Sequence, residues 1–106
     1  MSGSEIEPLS DQAGEVLTIV DDASQENARY SIQVGMYSDF GNATTRVAEL
    51  LNLELSAYID EYQNKKDETR YNVRFGYFNS FSSGQQALTL YEKHYSGTGY
   101  VARIKR

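Results

Sequence analysis

Apolar and polar residues alternate in two stretches of the chain that are near-copies of each other, Tyr30–Tyr37 and Tyr71–Phe78. Each stretch has an aromatic residue, alternating β-forming residues, a glycine, and a second aromatic residue two positions beyond the glycine. The two copies start 41 positions apart, and alternation of this kind is typical of strands with one buried face. A doubled unit of this length predicts two structurally similar halves.

The first strand, about residues 29–36, is followed by a turn over residues 38–42 and then by apolar positions with helical spacing. Asn42 is a good N-cap residue, so we expect the helix to begin there. One face of this helix is predicted to be buried, and it carries Ala43, Val47, Leu50 and Leu51.

The repeated strand of the second half, about residues 70–77, is also followed by a helical pattern. Ser82 or Ser83 is predicted to cap this helix, with Gln85 or Gln86 placed to complete a capping box. The buried stripe of the helix is predicted to consist of Ala87, Leu88, Tyr91 and Tyr95.

Two further strands, predicted over residues 56–62 and 100–105, complete a βαββαβ order. Two βαβ units of this size, each with a right-handed crossover, predict an α+β fold of the ferredoxin-like (RNP-like) sandwich type. This fold has a four-stranded antiparallel sheet with two helices on one face. The repeated strands should form its central pair, and the other face of the sheet has no covering layer.

The length of 106 residues fits one small domain. We assign this domain to residues 28–106. Residues 1–27 are acidic and poor in aromatic side chains, so they are predicted to be a linker or N-terminal extension. Within them, the β-prone run over residues 16–20 could add an extra strand.

Charge and cysteine content narrow the choice of partner. The formal net charge of −5 and the pI near 4.8 argue against nucleic acid, because binding through phosphates needs a basic surface. The chain has no cysteine, so it has neither a disulfide framework nor a reactive thiolate. No apolar run is long enough to span a membrane. We expect a monomeric module with no direct membrane contact, whose export or anchor segment lies in a longer parent chain.

Catalytic chemistry is poorly supported. The single histidine, His94, falls late in a predicted helix, and no nucleophile is paired with it. The acidic residues of the first segment lack metal-loop spacing, and the glycines form no phosphate-cradling loop. We therefore expect no catalytic residues, no metal site and no cofactor.

Strand alternation predicts which polar side chains lie on the uncovered face of the sheet. The central strands contribute Ser31, Gln33, Asn72 and Arg74. The second strand presents either residues 58, 60 and 62 or residues 57, 59 and 61, and the second set is more core-like, so Tyr58 and Tyr62 are placed outward. For the last strand, alternation does not decide which pair of side chains faces outward, Tyr100 and Ala102 or Val101 and Arg103.

Amide, guanidinium and phenol groups on one surface suit a sugar, which has a ring of hydroxyls and an apolar C–H face. The plainer alternative is that such residues are present only because this face of the sheet is in contact with water.

The run Tyr30–Asp39 resembles the opening of the SPOR (sporulation-related repeat) domain family, in which an aromatic-x-aliphatic-Gln-aliphatic-Gly-x-aromatic strand leads into a helix. The run Tyr71–Phe78 resembles the third strand of that family, and Gly99–Ile104 its closing strand. The resemblance covers about residues 29–105.

This resemblance implies a bacterial cell-envelope module that binds peptidoglycan. Members recognise glycan strands stripped of stem peptides, which accumulate at division septa, so a location in the periplasm or cell envelope at the septum is expected. In the family, the glycan lies on the sheet face away from the helices. Gln33 aligns with a glycan-contacting glutamine, and Arg74 matches a retained arginine. Met36 stands where serine is common, and Asn72 where many members have arginine.

The resemblance and the strand alternation together predict that Gln33, Asn72 and Arg74 would hydrogen-bond to N-acetyl and hydroxyl groups. Arg74 or Arg70 would lie near the lactyl carboxylate of N-acetylmuramic acid, and tyrosines would stack against the sugars. The full predicted glycan-binding set is Ser31, Gln33, Met36, Tyr58, Tyr62, Arg70, Asn72, Arg74 and Tyr100.

Two other functions compete with this one. The first is a protein–protein interaction module of the cell envelope with no affinity for glycan. The second is RNA binding, because RNA-recognition modules share the topology. Against RNA, the net charge is negative, and the central strands present Gln33 and Arg74 where stacked aromatic residues would be needed.

Overall fold

The structure of the protein is a computed structural model that describes residues 19–105. Its elements follow the predicted βαββαβ order. They are β1 (Tyr30–Tyr37), α1 (Phe40–Asn52), β2 (Ala57–Gln63), β3 (Thr69–Phe78), α2 (Phe81–His94) and β4 (Tyr100–Arg103). Neither helix in this range has the length and apolarity needed to cross a bilayer.

The four strands form one antiparallel sheet with the spatial order β2-β3-β1-β4. The repeated strands β1 and β3 are therefore the central pair, as predicted. The two helices pack on one face, and the core lies between them and the sheet. Its fully buried members include Ile32, Val73 and Phe75, and Tyr91 is 1% exposed.

Two bulges interrupt the pairing of β1 with β3, one beside each glycine of the repeat. In β1, Gln33 lies opposite Arg74, but Gly35 lies opposite Val73, so one extra residue sits on β1. This extra residue reverses the alternation beyond it. As a result, Met36 lies opposite Asn72 and shares a face with Gln33, although the two positions differ by an odd number.

The aromatic residues of the repeat contact one another across the two halves. Tyr30 of β1 makes an edge-on contact with Phe81 of α2, with ring centroids 6.0 Å apart. Tyr71 of β3 makes the equivalent contact with Phe40 of α1 at 5.3 Å. Each helix start is thus fixed against the central strand of the other half.

The residues that precede β1 are held against the domain. The Asp21 carboxylate accepts a hydrogen bond from the Tyr77 backbone N–H at 3.1 Å, and the Asp22 carboxylate accepts one from the Asn79 N–H at 2.8 Å. Ile19 packs against the core. These contacts lie within the predicted linker. Of the β-prone run over residues 16–20, the part before residue 19 lies outside the described residues, and residues 19 and 20 are not in a strand.

Both predicted helix caps were wrong by a few residues. Asp39 is the N-cap of α1, and its carboxylate accepts a hydrogen bond from the Asn42 N–H. Ser80 is the N-cap of α2, and its hydroxyl accepts one from the Ser83 N–H. Each turn contains several residues with good capping side chains, so side-chain preference alone could not choose among them.

Leu51 was predicted to be buried, but 52% of it is exposed. Leu50 and Ala43 are fully buried, and seven residues bring an α-helix within about 20° of its starting direction. One more residue turns Leu51 about 100° away from Leu50. β4 also ends earlier than predicted, at Arg103.

Candidate functional site

Four side chains on the uncovered face of the sheet form a closed circuit of polar contacts, which we call the polar ring: Gln33, Asn72, Asp60 and Arg74. Arg74 Nε donates to Gln33 Oε1 at 3.0 Å, and Gln33 Nε2 donates to Asn72 Oδ1 at 3.0 Å. Asn72 Nδ2 donates to Asp60 Oδ2 at 3.2 Å. The same Asp60 oxygen lies 3.8 Å from Arg74 Nη2, which closes the circuit.

Strand register explains why these four side chains meet. Gln33 lies opposite Arg74, and Asp60 lies opposite Asn72. Residues directly opposite each other on neighbouring strands share a face, so three adjacent strands contribute to one polar cluster.

The polar ring is largely buried, although neither helix within residues 19–105 covers this face. Gln33 is 7% exposed, Asn72 is 8% exposed, and the Arg74 side chain is 12% exposed. The Asp60 side chain is the open member at 43%. Because each side chain is fixed by its neighbours, a ligand would meet donors and acceptors that are already oriented.

Aromatic and thioether side chains border the polar ring. The Tyr62 hydroxyl donates to Met36 Sδ at 2.9 Å, so these two side chains reach across β3 to each other. Tyr100 lies opposite Gln33 and is 56% exposed, which places Tyr100 on the uncovered face and settles the orientation of β4. Met36 is 55% exposed.

Two shallow cavities lie on this face. One, of about 330 Å³, lies between β1 and β4 and is lined mainly by Gln33, Met36, Gly99 and Tyr100. The other, of about 230 Å³, is lined by Asp60, Tyr62, Asn72, Arg74 and Lys105. The polar ring therefore contributes to both cavities, and Lys105 reaches the second from beyond the end of β4.

Tyr58 lies on the uncovered face but is already partly engaged. Its ring stacks on that of Tyr77, with centroids 5.2 Å apart and planes at 11°. Burial raises the pKa of the Tyr77 phenol, and the neighbouring Tyr58 and Asp21 raise it further, against a hydrogen bond with Gln25 that lowers it. A ligand would find one face of the Tyr58 ring occupied.

Two residues of the predicted site, Ser31 and Arg70, already direct their polar groups to partners within the protein. Ser31 is fully buried, and its hydroxyl lies within hydrogen-bond distance of the carbonyls of Phe75 (2.9 Å) and Gly76 (2.8 Å). These carbonyls are at the bulge in β3, where the strand ladder is interrupted. The prediction that Ser31 is available on the open face was wrong, because its hydroxyl is directed to the backbone carbonyls at that bulge. Arg70 forms an ion pair with Glu68 at 3.1 Å and donates to the Thr69 carbonyl.

Three residues of this face were missing from the predicted site. Asp60 had the right alternation, which was a usable signal, because it lies between Tyr58 and Tyr62 in β2. Tyr77 comes to this side through the bulge at Gly76, for which a glycine inside a strand is a general signal. Lys105 comes to it through the early end of β4, which has no clear signal in the sequence. Over residues 19–105, no group of three or more His, Asp or Glu side chains is placed to hold a metal ion.

Comparisons with known proteins agree with this architecture. The family model described as "SPOR domain" matches residues 26–102, well over half of the chain. The crystal structure of the RlpA SPOR domain from Pseudomonas aeruginosa is similar in fold, with a TM-score of 0.56 at 17% sequence identity, and the match covers 71% of this chain and 99% of that one. No curated protein matches the chain. The chain therefore belongs to the SPOR domain family, whose members are peptidoglycan-binding modules.

Proposed function

We propose that this domain binds peptidoglycan glycan strands from which the stem peptides have been removed, and that this binding directs its parent protein to the division septum. The observation that carries the proposal is the polar ring, held rigid on the uncovered face of the sheet between exposed Met36 and Tyr100 on one side and Tyr62 on the other.

The chemistry of the face suits a glycan without peptides. The amides of Gln33 and Asn72 each use one N–H inside the polar ring, which leaves a second N–H as a donor to an N-acetyl carbonyl or a hydroxyl. Tyr100 and Met36 present apolar surface of the kind that packs against the C–H face of a sugar. Because the side chains on the strands are already ordered, little conformational entropy is lost on binding.

The proposed role of the domain is binding without catalysis, in the periplasm or cell envelope. SPOR domains are binding modules. The single histidine, His94, is exposed in the last turn of α2, in the helical layer and away from the polar ring.

The test measures co-sedimentation of the purified domain with sacculi, before and after amidase treatment. The informative variant is Met36→Ala/Tyr100→Ala, because both side chains are more than half exposed and their loss should leave the fold intact. A matched control is Leu51→Ala/Leu53→Ala, which removes exposed apolar side chains at the end of α1.

We expect the wild-type domain to bind amidase-treated sacculi more strongly than untreated ones. The Met36→Ala/Tyr100→Ala variant should lose most of this binding, and the control variant should keep it. A wild-type domain that binds neither preparation contradicts the proposed function. Equal binding by all three proteins contradicts the assignment of the face. An exported fluorescent fusion that stays uniformly distributed in dividing cells contradicts septal targeting.

A further inference from the structure

In the described part of this acidic chain, some basic side chains form ion pairs with carboxylates and others do not. Within residues 19–105, three ion pairs are formed, by Arg46 with Glu49, by Arg70 with Glu68 and by Arg74 with Asp60. The two arginines on the uncovered face are therefore both engaged by carboxylates of the protein. A carboxylate on a ligand would have to compete with Asp60 for Arg74 and with Glu68 for Arg70.

Three other cations lie together at one end of the sheet. Arg29 precedes β1, and Arg103 and Lys105 lie at and beyond the end of β4, where the Ile104 N–H donates to the Arg29 carbonyl at 2.8 Å. All three side chains are exposed. In the part of the chain that the structure describes, none of the three forms an ion pair with Asp or Glu.

These three residues and Ile104 line a cavity of about 460 Å³. Lys105 also lines the 230 Å³ cavity that contains Asp60, Asn72 and Arg74. The two cavities are thus adjacent, with Lys105 shared between them. Lys105 therefore links the cavity beside the polar ring to the basic cavity.

We infer that Arg29, Arg103 and Lys105 form a second subsite, which binds a lactyl carboxylate of the same glycan strand whose neutral groups contact the polar ring. This inference rests on the proposed function and reassigns the carboxylate from Arg74 or Arg70 to the basic cavity. Peptide-free strands carry one free lactyl carboxylate on each muramic acid residue. Two guanidinium groups and an ammonium group give such an oxyanion several charge-assisted donors.

The test compares two soluble probes: a peptide-free glycan tetrasaccharide, and the same glycan with its carboxyl groups reduced to alcohols. Binding is measured by titration calorimetry at low ionic strength. The test variant is Arg29→Gln/Arg103→Gln/Lys105→Gln. Its control is Lys65→Gln/Lys66→Gln/Lys93→Gln, which makes the same change in net charge at exposed positions in the β2–β3 loop and the last turn of α2.

For the wild-type domain we expect the unreduced glycan to bind about fivefold more tightly than the reduced one, as a few partly exposed ion pairs would give. The test variant should bind both glycans equally, at the wild-type affinity for the reduced probe. The control variant should keep the ratio. Added salt should shrink the ratio for the wild-type domain, because these charges are exposed to solvent.

Each other result overturns the inference in an identifiable way. If the wild-type domain binds both glycans with equal affinity, the basic subsite is wrong and the proposed function stands. If the control variant loses the preference as fully as the test variant, net charge and not the subsite is responsible. If neither probe binds, the proposed function fails as well. If the test variant keeps the wild-type preference for the unreduced glycan, the carboxylate binds elsewhere and the inference is wrong.

Discussion

The ring of Phe78 packs against Gly76 in the volume that a β-carbon at position 76 would occupy. The same relationship holds in the first copy of the repeat, where a β-carbon at Gly35 would lie 2.9 Å from the ring of Tyr37. The spacing that the two copies share, a glycine followed two residues later by an aromatic residue, is therefore a packing arrangement. In both copies the glycine also lies beside a bulge in the central strand pair.

Replacement of Gly76 by alanine should be strongly destabilising. Gly76 has φ +85°, a backbone conformation that costs an L-residue about 1–2 kcal/mol, and the Phe78 ring would also have to move. We expect Gly76→Ala to lower the free energy of unfolding by about 3 kcal/mol in urea denaturation. Gly41→Ala, in the exposed first turn of α1, is the control: its β-carbon would lie 3.1 Å from the Asp39 carboxylate, the end of a side chain that can shift, so it should destabilise far less than Gly76→Ala. A loss below about 1 kcal/mol for Gly76→Ala would contradict the packing argument.

The polar ring should behave as one energetic unit. Gln33→Ala and Asn72→Ala should each lower the free energy of unfolding by about 1–3 kcal/mol, because each leaves buried partners unsatisfied. The double variant should cost at least about 1 kcal/mol less than the sum of the single variants, since the second change removes a group that has already lost its partner. Gln33→Ala combined with the exposed Thr89→Ala should be additive. Additivity in the first pair would mean that the Gln33–Asn72 hydrogen bond contributes nothing.

Ser31 should matter for stability and not for binding. Its hydroxyl is fully buried and directed to the carbonyls at the bulge in β3. Ser31→Ala should therefore lower the free energy of unfolding by about 1 kcal/mol. Sacculus co-sedimentation of the folded variant should equal that of the wild-type domain. A folded variant that no longer binds would restore Ser31 to the site.

Tyr77 should make stability fall at alkaline pH. Burial raises the pKa of its phenol in the folded protein. The stabilisation from the protonated form is complete below the unfolded value near 10, and it is lost as the pH rises through the higher folded value. From about pH 9 to about pH 11, the free energy of unfolding of Tyr77→Phe should therefore fall less steeply than that of the wild-type domain. Identical slopes in urea denaturation would contradict the raised pKa.

The fold was predictable because the apolar residues that specify it recur at the regular spacings of strands and helices. Ile32 in β1, and Val73 and Phe75 in β3, follow strand alternation and are fully buried in the core. Val34 packs against the same core although it lies at the bulge in β1. The repeat of the strand–helix unit then predicted the order of the elements and the central pair of strands. Ends of elements were harder to predict, because Asp39 and Asn42 are both good caps and only the tertiary position of the helix decides between them.

The site was predictable only in part, because two local irregularities alter it. The bulge in β1 moves Met36 onto the face of Gln33, which alternation alone would forbid. The Ser31 hydroxyl is directed to the carbonyls at the bulge in β3, so it is not available on the uncovered face. Alternation did place Asp60 beside Tyr58 and Tyr62, but only the register of β2 against β3 shows that Asp60 accepts the Asn72 amide.

The crossed contacts of Tyr30 with Phe81 and of Tyr71 with Phe40 mean that neither half of the repeat is a complete folding unit. A fragment that ends in the β2–β3 loop would expose the face of Tyr30 that Phe81 covers, and the complementary fragment would expose Tyr71. A chain cut in that loop should stay unfolded as separate fragments and regain its circular dichroism when they are mixed. An isolated single repeat could bury the same surfaces only against a second copy of itself, so the domain has the internal organisation of a symmetric dimer joined by a loop.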